Sequence, residues 1–300
     1  MSKMRKLIII LFSIMLIIVG CSSEANLNSN GSEDNLVYVS FYPLYFLADE
    51  IGGDHIDLRM VVPNGVESHE YEPSMQQLKD IEKAQLFIYN GAGFESWADK
   101  VVGNIIEEDR TINASESVHL IMEDNNPDPH IWLSPQNMIK IGETIKDRLV
   151  LMDAANKDEY ERNFNELASR LMELDNKYFE ELKDKSKDSI IVSHAAFTYL
   201  ADRYGFEQIP VAGISPEQEP SSKTIADLIE IVKNDNHEYI LLETLASPKT
   251  VQVIAEETNL QVLTLNPIEG LTEEDITNGE DYITIMEKNL ENLKKALVMK

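Results

Sequence analysis

Four side chains stand where metal chemistry would need them. His69 in SHEYEPS, His194 after SIIVS and Glu269 in LNPIEGLT follow short apolar runs rich in β-branched residues, and His130 lies in the proline-rich DPHIWLSP. In open α/β sheets ligands bind beyond the carboxyl ends of the strands, so polar groups just after strands are the first candidates for a site. Three neutral imidazoles and one carboxylate form a coherent donor set. It suits Zn²⁺, which takes four N, O or S ligands as a tetrahedron, whereas Mg²⁺ or Mn²⁺ favour more oxygen. Two of the four lie in each half of the chain, as a cleft site between two lobes requires. The separations of 61, 64 and 75 residues match no local finger and no HExxH helix, so spacing alone only suggests the grouping.

Each candidate has a plainer reading. A lone histidine after a strand is as often a hydrogen-bonded loop residue as a ligand. Glu269 is the weakest of the four: water, or Glu67 beside His69, competes for its place, while Glu72 reads better as a brace for its helix. His55 and His237 precede strands and read as surface residues. His119, on a polar turn, stays open as a transient metal contact. In DNNPDPHIWLSP three prolines stiffen the chain around His130. Trp132 and Phe197, close behind two of the histidines, read as core anchors for their loops. Glu123, Asp124 and Asp128 read as a solvated acidic turn.

The elements that position these residues follow from periodicity. LVYVS (36–40), DLRMVVP (57–63) and LFIYNG (86–91) each precede a helical pattern, the last over FESWADKVVGNII. The alternation restarts with SIIVS (189–193), followed by a helix over HAAFTYLADRYG, then QIPVAGIS (208–215), YILLET (239–244) and LQVLTLNP (260–267), with a last helix near 282–295. Strands alternating with helices predict an α/β fold: two lobes, each a parallel sheet flanked by helices. Between them, residues 157–185 carry apolar side chains at 160, 164, 167, 171, 174, 178 and 182, with no Pro or Gly. That stripe predicts one long rigid α-helix, on the order of 40 Å, acting as a strut between lobes that move little.

The N-terminus carries its own signals. MSKMRK is basic, and Leu7 to Val19 is an apolar run of thirteen residues, too short for the roughly 18 of a spanning helix. Gly20 then precedes Cys21, the single cysteine of the chain, which leaves the rest without disulfides or a zinc–thiolate site. SSEANLNSNGSEDN reads as a flexible tether. The expected organisation is a signal peptide over 1–20, a tether over 21–35, an N-terminal lobe over 36–156, the linking helix over 157–185 and a C-terminal lobe over 186–300. With 53 acidic against 26 basic residues the net charge is −27, and about −30 once Lys3, Arg5 and Lys6 leave with the leader. Such a surface argues against nucleic acid and attracts cations.

The motifs SHEYEPS, DPHIWLSP, SHAAFTYLADRYG, ISPEQEPSS, ETLASPKT and LNPIEGLT occur in this order, and IVGC resembles a lipobox. Together they resemble the zinc-type substrate-binding lipoproteins of bacterial ABC importers. The resemblance implies a monomeric, non-enzymatic protein, lipidated at Cys21 and anchored at the extracellular face of the cell membrane. It further implies that the protein passes Zn²⁺ to an ABC permease and its ATPase. It maps the metal histidines to His69, His130 and His194, and the glutamate of the P-x-E-G-L motif to Glu269. Manganese members carry a glutamate where His194 stands and an aspartate as fourth ligand, which favours zinc over the manganese alternative. Many zinc members have a histidine-rich loop before D-P-H. Here that segment is short, with His119 alone before His130. A surface adhesin is a further alternative within the resemblance. A zinc hydrolase is the rival from another class, and it would gain if Glu269 did not ligate.

Overall fold

The computed structural model describes residues 35–123, 125–216, 221–235, 237–245 and 249–298. Cys21, the leader and the tether up to residue 34 lie outside them.

The first sheet contains β1 (Leu36–Val39), β2 (Asp57–Met60), β3 (Leu86–Tyr89) and β4 (Thr111–Asn113). All pairs are parallel and the order is β2-β1-β3-β4. β1 is central, and its Val37 and Val39 are fully buried, as a strand covered on both faces requires. The crossovers carry α1 (Tyr42–Gly52), α2 (Met75–Ile81) and α3 (Ala98–Val101). The helix expected over FESWADKVVGNII shrinks to the single turn of α3. Gly103 takes φ 75 and turns the chain, while Phe94 and Trp97 are buried outside the helix as anchors. β4 is too short at three residues to show a period.

A small antiparallel hairpin, β5 (Met122–Glu123) and β6 (Asn126–Pro127), leads into the His130 segment. Ser134 then caps α4 (Pro135–Met152) by accepting from Asn137 N, with Pro135 in its first turn. The strut is α5 (Lys157–Leu182), and its buried face holds Tyr160, Leu167, Leu171, Leu174, Tyr178 and Leu182.

The second sheet contains β7 (Ser189–Val192), β8 (Glu207–Pro210), β9 (Tyr239–Leu242) and β10 (Gln261–Thr264), all parallel, in the order β10-β9-β7-β8. Its helices are α6 (Thr198–Tyr204), α7 (Ser222–Asp235), α8 (Lys249–Thr258), α9 (Glu273–Asn278) and α10 (Tyr282–Leu297). In each sheet the first strand lies between the second and the third. The two lobes therefore repeat one winding, and each has a switch point between its first and third strands. The helix expected from His194 starts only at Thr198. Residues 194–197 stay out of it, with Phe197 N donating to Gln208 Oε1 at 2.9 Å, and this leaves His194 on the buried loop before the helix.

The lobes share one core. A contiguous buried cluster runs from Val39 and Leu47 through Trp132 and Leu171 to Val192 and Leu293. A separate cluster with Ile191, Leu228, Ile240 and Ile254 lies beneath α7 and α8. Polar ties cross between the lobes as well. Trp132 Nε1 donates to Pro267 O at 2.6 Å, Tyr282 OH to Trp132 O at 2.6 Å, and Tyr199 OH to Asp128 O at 2.9 Å. On α5, Asp175 binds Arg203 and accepts from Tyr204 OH at 2.8 Å, which fixes α6 to the strut.

Candidate metal centre

The four sequence candidates converge. One donor atom each from His69, His130, His194 and Glu269 lies within 4.8 Å of all the others. His130 Nε2 is 3.3 Å from His69 Nε2 and 3.2 Å from His194 Nε2. Glu269 Oε1 is 3.3 Å from His69 Nε2 and 3.9 Å from His194 Nε2. A tetrahedron with metal–ligand bonds of about 2.0–2.1 Å has edges of about 3.3–3.4 Å, so the four atoms already sit close to zinc spacing.

The protons make the case stronger. Asp128 Oδ1 lies 2.8 Å from His130 Nδ1 and also accepts His130 N at 2.8 Å. A carboxylate can only accept, so Nδ1 carries the proton and the neutral ring presents a bare lone pair at Nε2. Glu243 Oε1 stands 2.6 Å from His194 Nδ1, off the ring N–H axis, and it also accepts from Ser193 Oγ. The carboxylate's charge beside Nδ1 favours the proton on that nitrogen, without a hydrogen bond to fix it. Two lone pairs facing each other at 3.2 Å repel unless a proton or a cation lies between them. His130 and His194 are fully buried and Glu269 is 4 % exposed, so water does not screen them.

The titration behaviour agrees. Burial pushes the His130 imidazole down, and the Asp128 carboxylate only partly offsets this. Burial would push Asp128 up, yet its contact with His130 holds it below the usual carboxylate range. For Glu269 burial is likewise outweighed, here by His69, His194 and His130, and the carboxyl is held at about 2. His69 is raised: burial lowers it, but Glu269, Glu67 and Glu243 raise it more. The metal-free centre therefore favours an ionised Glu269 beside a protonated His69.

Each ligand is aimed by its element. His69 follows β2, and Glu67 accepts its N–H at 2.9 Å and that of Glu70 at 3.2 Å. Glu67 is thus a brace for the loop rather than a competing donor. Tyr71 and Ser74 fix the start of α2 through Gln77, in a capping box. His130 opens the turn Ile131–Leu133, whose Trp132 is fully buried against Phe41 and Phe94. At the first switch point, Asn90 follows β3 and donates to Pro129 O at 2.8 Å, while buried Glu95 accepts from Asn90 N and Gly91 N. At the second, His194 follows β7 and Glu243 follows β9. Glu269 comes after β10, directly behind Ile268. At φ 60, Ile268 is a β-branched residue in the left-handed region, at a cost of about 1–3 kcal/mol. A cleft of about 540 Å³ opens beside His69, bounded by Phe94, Pro129 and Ile214.

Several expectations need correction. Asp128 is fully buried and bonded to His130, not part of a solvated acidic turn: the burial of DPH leaves the aspartate nowhere to go but its own histidine. Glu123 accepts from Thr198 Oγ1 at 2.9 Å. His55 is half-buried, 2.9 Å from Glu159 on the strut. His119 is exposed and outside the cluster. Glu243 was missed although it too follows a strand, the signal that found the others. Trp132 and Phe197 are fully buried, as core anchors should be.

The sequence model of the family described as zinc-uptake complex component A, periplasmic (ZnuA), matches residues 37–296. The chain belongs to this family. As a ZnuA-family member it is 34% identical over 305 residues to the high-affinity zinc uptake system protein ZnuA of Bacillus subtilis, covering 95% of each chain. It is 33% identical over 310 residues to the zinc-binding lipoprotein AdcA of Streptococcus pneumoniae, covering 98% of this chain but 61% of that one. It thus spans less than two thirds of the length of that relative. The Zn(II)-bound ZnuA-like domain of Streptococcus pneumoniae AdcA superimposes with a TM-score of 0.79 at 36% identity, covering 88% of this chain and 99% of that domain. Among ZnuA-family features, the two parallel sheets joined by a long helix agree with the fold expected from the sequence.

Proposed function

We propose that this chain is the extracytoplasmic binding component of an ABC importer. It captures Zn²⁺ with His69, His130, His194 and Glu269 and delivers it to a membrane permease and its ATPase. The observation that carries the reading is the pair of buried Nε2 atoms, from His130 and His194, facing each other at 3.2 Å with their Nδ1 atoms turned to carboxylates. Three imidazoles with one carboxylate favour zinc over manganese. Four protein donors leave no open position for a reactive water, so the chemistry is binding and release rather than catalysis. Residues 1–20 act as a signal peptide, Cys21 carries the lipid, and residues 21–35 tether lobes spanning 36–156 and 186–300, with 157–185 as the link. The protein works as a monomer on the outer face of the cell membrane. Zinc, manganese and cobalt titrations of the soluble chain from residue 22 by calorimetry test the metal assignment. One equivalent of zinc bound far more tightly than manganese is expected. Tighter manganese than zinc binding contradicts it.

A further inference from the structure

Glu269 is aimed in an unusual way. Its Oε1 is buried, and its polar neighbours are His69 Nε2 at 3.3 Å and His194 Nε2 at 3.9 Å, the metal donors themselves. The backbone leading to it is held at every residue. Asn289 on α10 takes both main-chain groups of Asn266: Oδ1 accepts from Asn266 N at 2.8 Å, and Nδ2 donates to Asn266 O at 2.7 Å. Asn266 Oδ1 accepts from Ile268 N at 2.8 Å, which closes a tight turn around Pro267. Pro267 O accepts from Trp132 Nε1, and Glu269 O from Ser68 Oγ at 3.3 Å. Within this frame Ile268 stands at φ 60 with its side chain fully buried, a conformation a β-branched residue keeps only when its surroundings enforce it. Asn289 and Asn266 are themselves 2 % and 5 % exposed, and their side-chain hydrogen bonds go to the backbone of the arm.

We propose that Asn289 and Asn266 are positioning residues for the metal's fourth ligand: they hold the Asn266–Glu269 arm in a strained shape that delivers Oε1 to the three imidazoles. This rests on the four-ligand reading above. Without the clamp, Ile268 relaxes toward negative φ and Glu269 swings away, leaving a three-histidine site that water completes. Ligand supports of this kind typically change metal affinity by about 10- to 100-fold.

Cobalt(II) bound to the mature chain separates the possibilities, because four-coordinate cobalt absorbs visible light far more strongly than five- or six-coordinate cobalt. Asn289→Leu and Asn266→Ala should lower the visible absorption to that of Glu269→Ala, and should speed zinc loss to a chelator about 10- to 100-fold. Asn266→Asp keeps an acceptor for Ile268 N–H and should retain the wild-type spectrum. Ile285→Val, elsewhere on α10, loosens packing and should leave the spectrum unchanged. If Asn289→Leu does not fold, Asn266→Ala decides, since the Asn266 side chain makes the single bond to Ile268. Folded variants with the wild-type spectrum and dissociation rate overturn the positioning role alone. A wild-type protein without a four-coordinate cobalt spectrum overturns the four-ligand reading, and the positioning role falls with it.

Discussion

At the scale of single residues, the centre is built from tautomers. Asp128 fixes by a hydrogen bond which nitrogen of His130 is bare, Glu243 lies against His194 Nδ1 as a charge contact, and the Nε2 atoms of both rings point inward. Asp128→Asn or Glu243→Gln should therefore weaken zinc binding about 10- to 100-fold in a chelator competition, with the fold intact. The protons give a second prediction. His69 is raised above its ordinary 6.5, so its protonated form stabilises the metal-free protein fully below about pH 6.5, and that contribution fades as pH rises through the raised value. Glu269 is depressed from 4.5 to about 2, so its contribution is present above about pH 4.5 and is lost as pH falls toward 2. The metal-free pair is most stabilising between about pH 4.5 and 6.5, whereas zinc needs His69 unprotonated. The rise in Tm on adding zinc should thus grow between about pH 5 and pH 8. An equal rise at both ends contradicts this. His69, His194 and Glu269 were legible because each follows a strand, and His130 because of the D-P-H motif and its stiff proline-flanked segment. Asp128, Asn90 and Glu95 were not, because their roles depend on burial and on which loop lies opposite, and neither leaves a period in the sequence.

At the scale of elements, the strut and the His130 turn carry the geometry. The apolar stripe of α5 was plain in the sequence, and six of its seven positions are fully buried, with Phe164 partly so. The short pieces were not: β4 has no measurable period, and α3 and α6 lose residues to loops that bury Phe94, Trp97 and Phe197 instead. Tertiary burial of aromatics overrode the helical pattern there. Asp175 on α5 holds Arg203 and Tyr204 of α6 while 4 % exposed. Asp175→Ala should cost about 2–3 kcal/mol in urea denaturation, less than for a fully buried pair because Arg203 is partly in water. Trp132→Phe keeps the aromatic packing but leaves Pro267 O without its donor, and should cost about 1–3 kcal/mol.

At the scale of the whole molecule, two copies of one winding place their switch points against each other, and the ligands come from loops at the same ends of both sheets. The shared core and the Trp132, Tyr282 and Tyr199 ties make wide opening costly, since each buried bond broken exposes or strands a partner. X-ray scattering of the metal-free and zinc-loaded protein should therefore give nearly the same radius of gyration. Release is then a matter of loops, with His69 bordering the cleft. The strong negative charge was readable from composition, and it favours cations at the surface without saying where they go. We propose that the four clustered donors decide the placement. The most direct measurement is a zinc-loaded crystal with anomalous diffraction on both sides of the zinc edge. A single peak about 2.0–2.2 Å from the Nε2 atoms of His69, His130 and His194 and from Oε1 of Glu269 is the expected result. A peak elsewhere, or one held by the three histidines with Glu269 turned away, contradicts it.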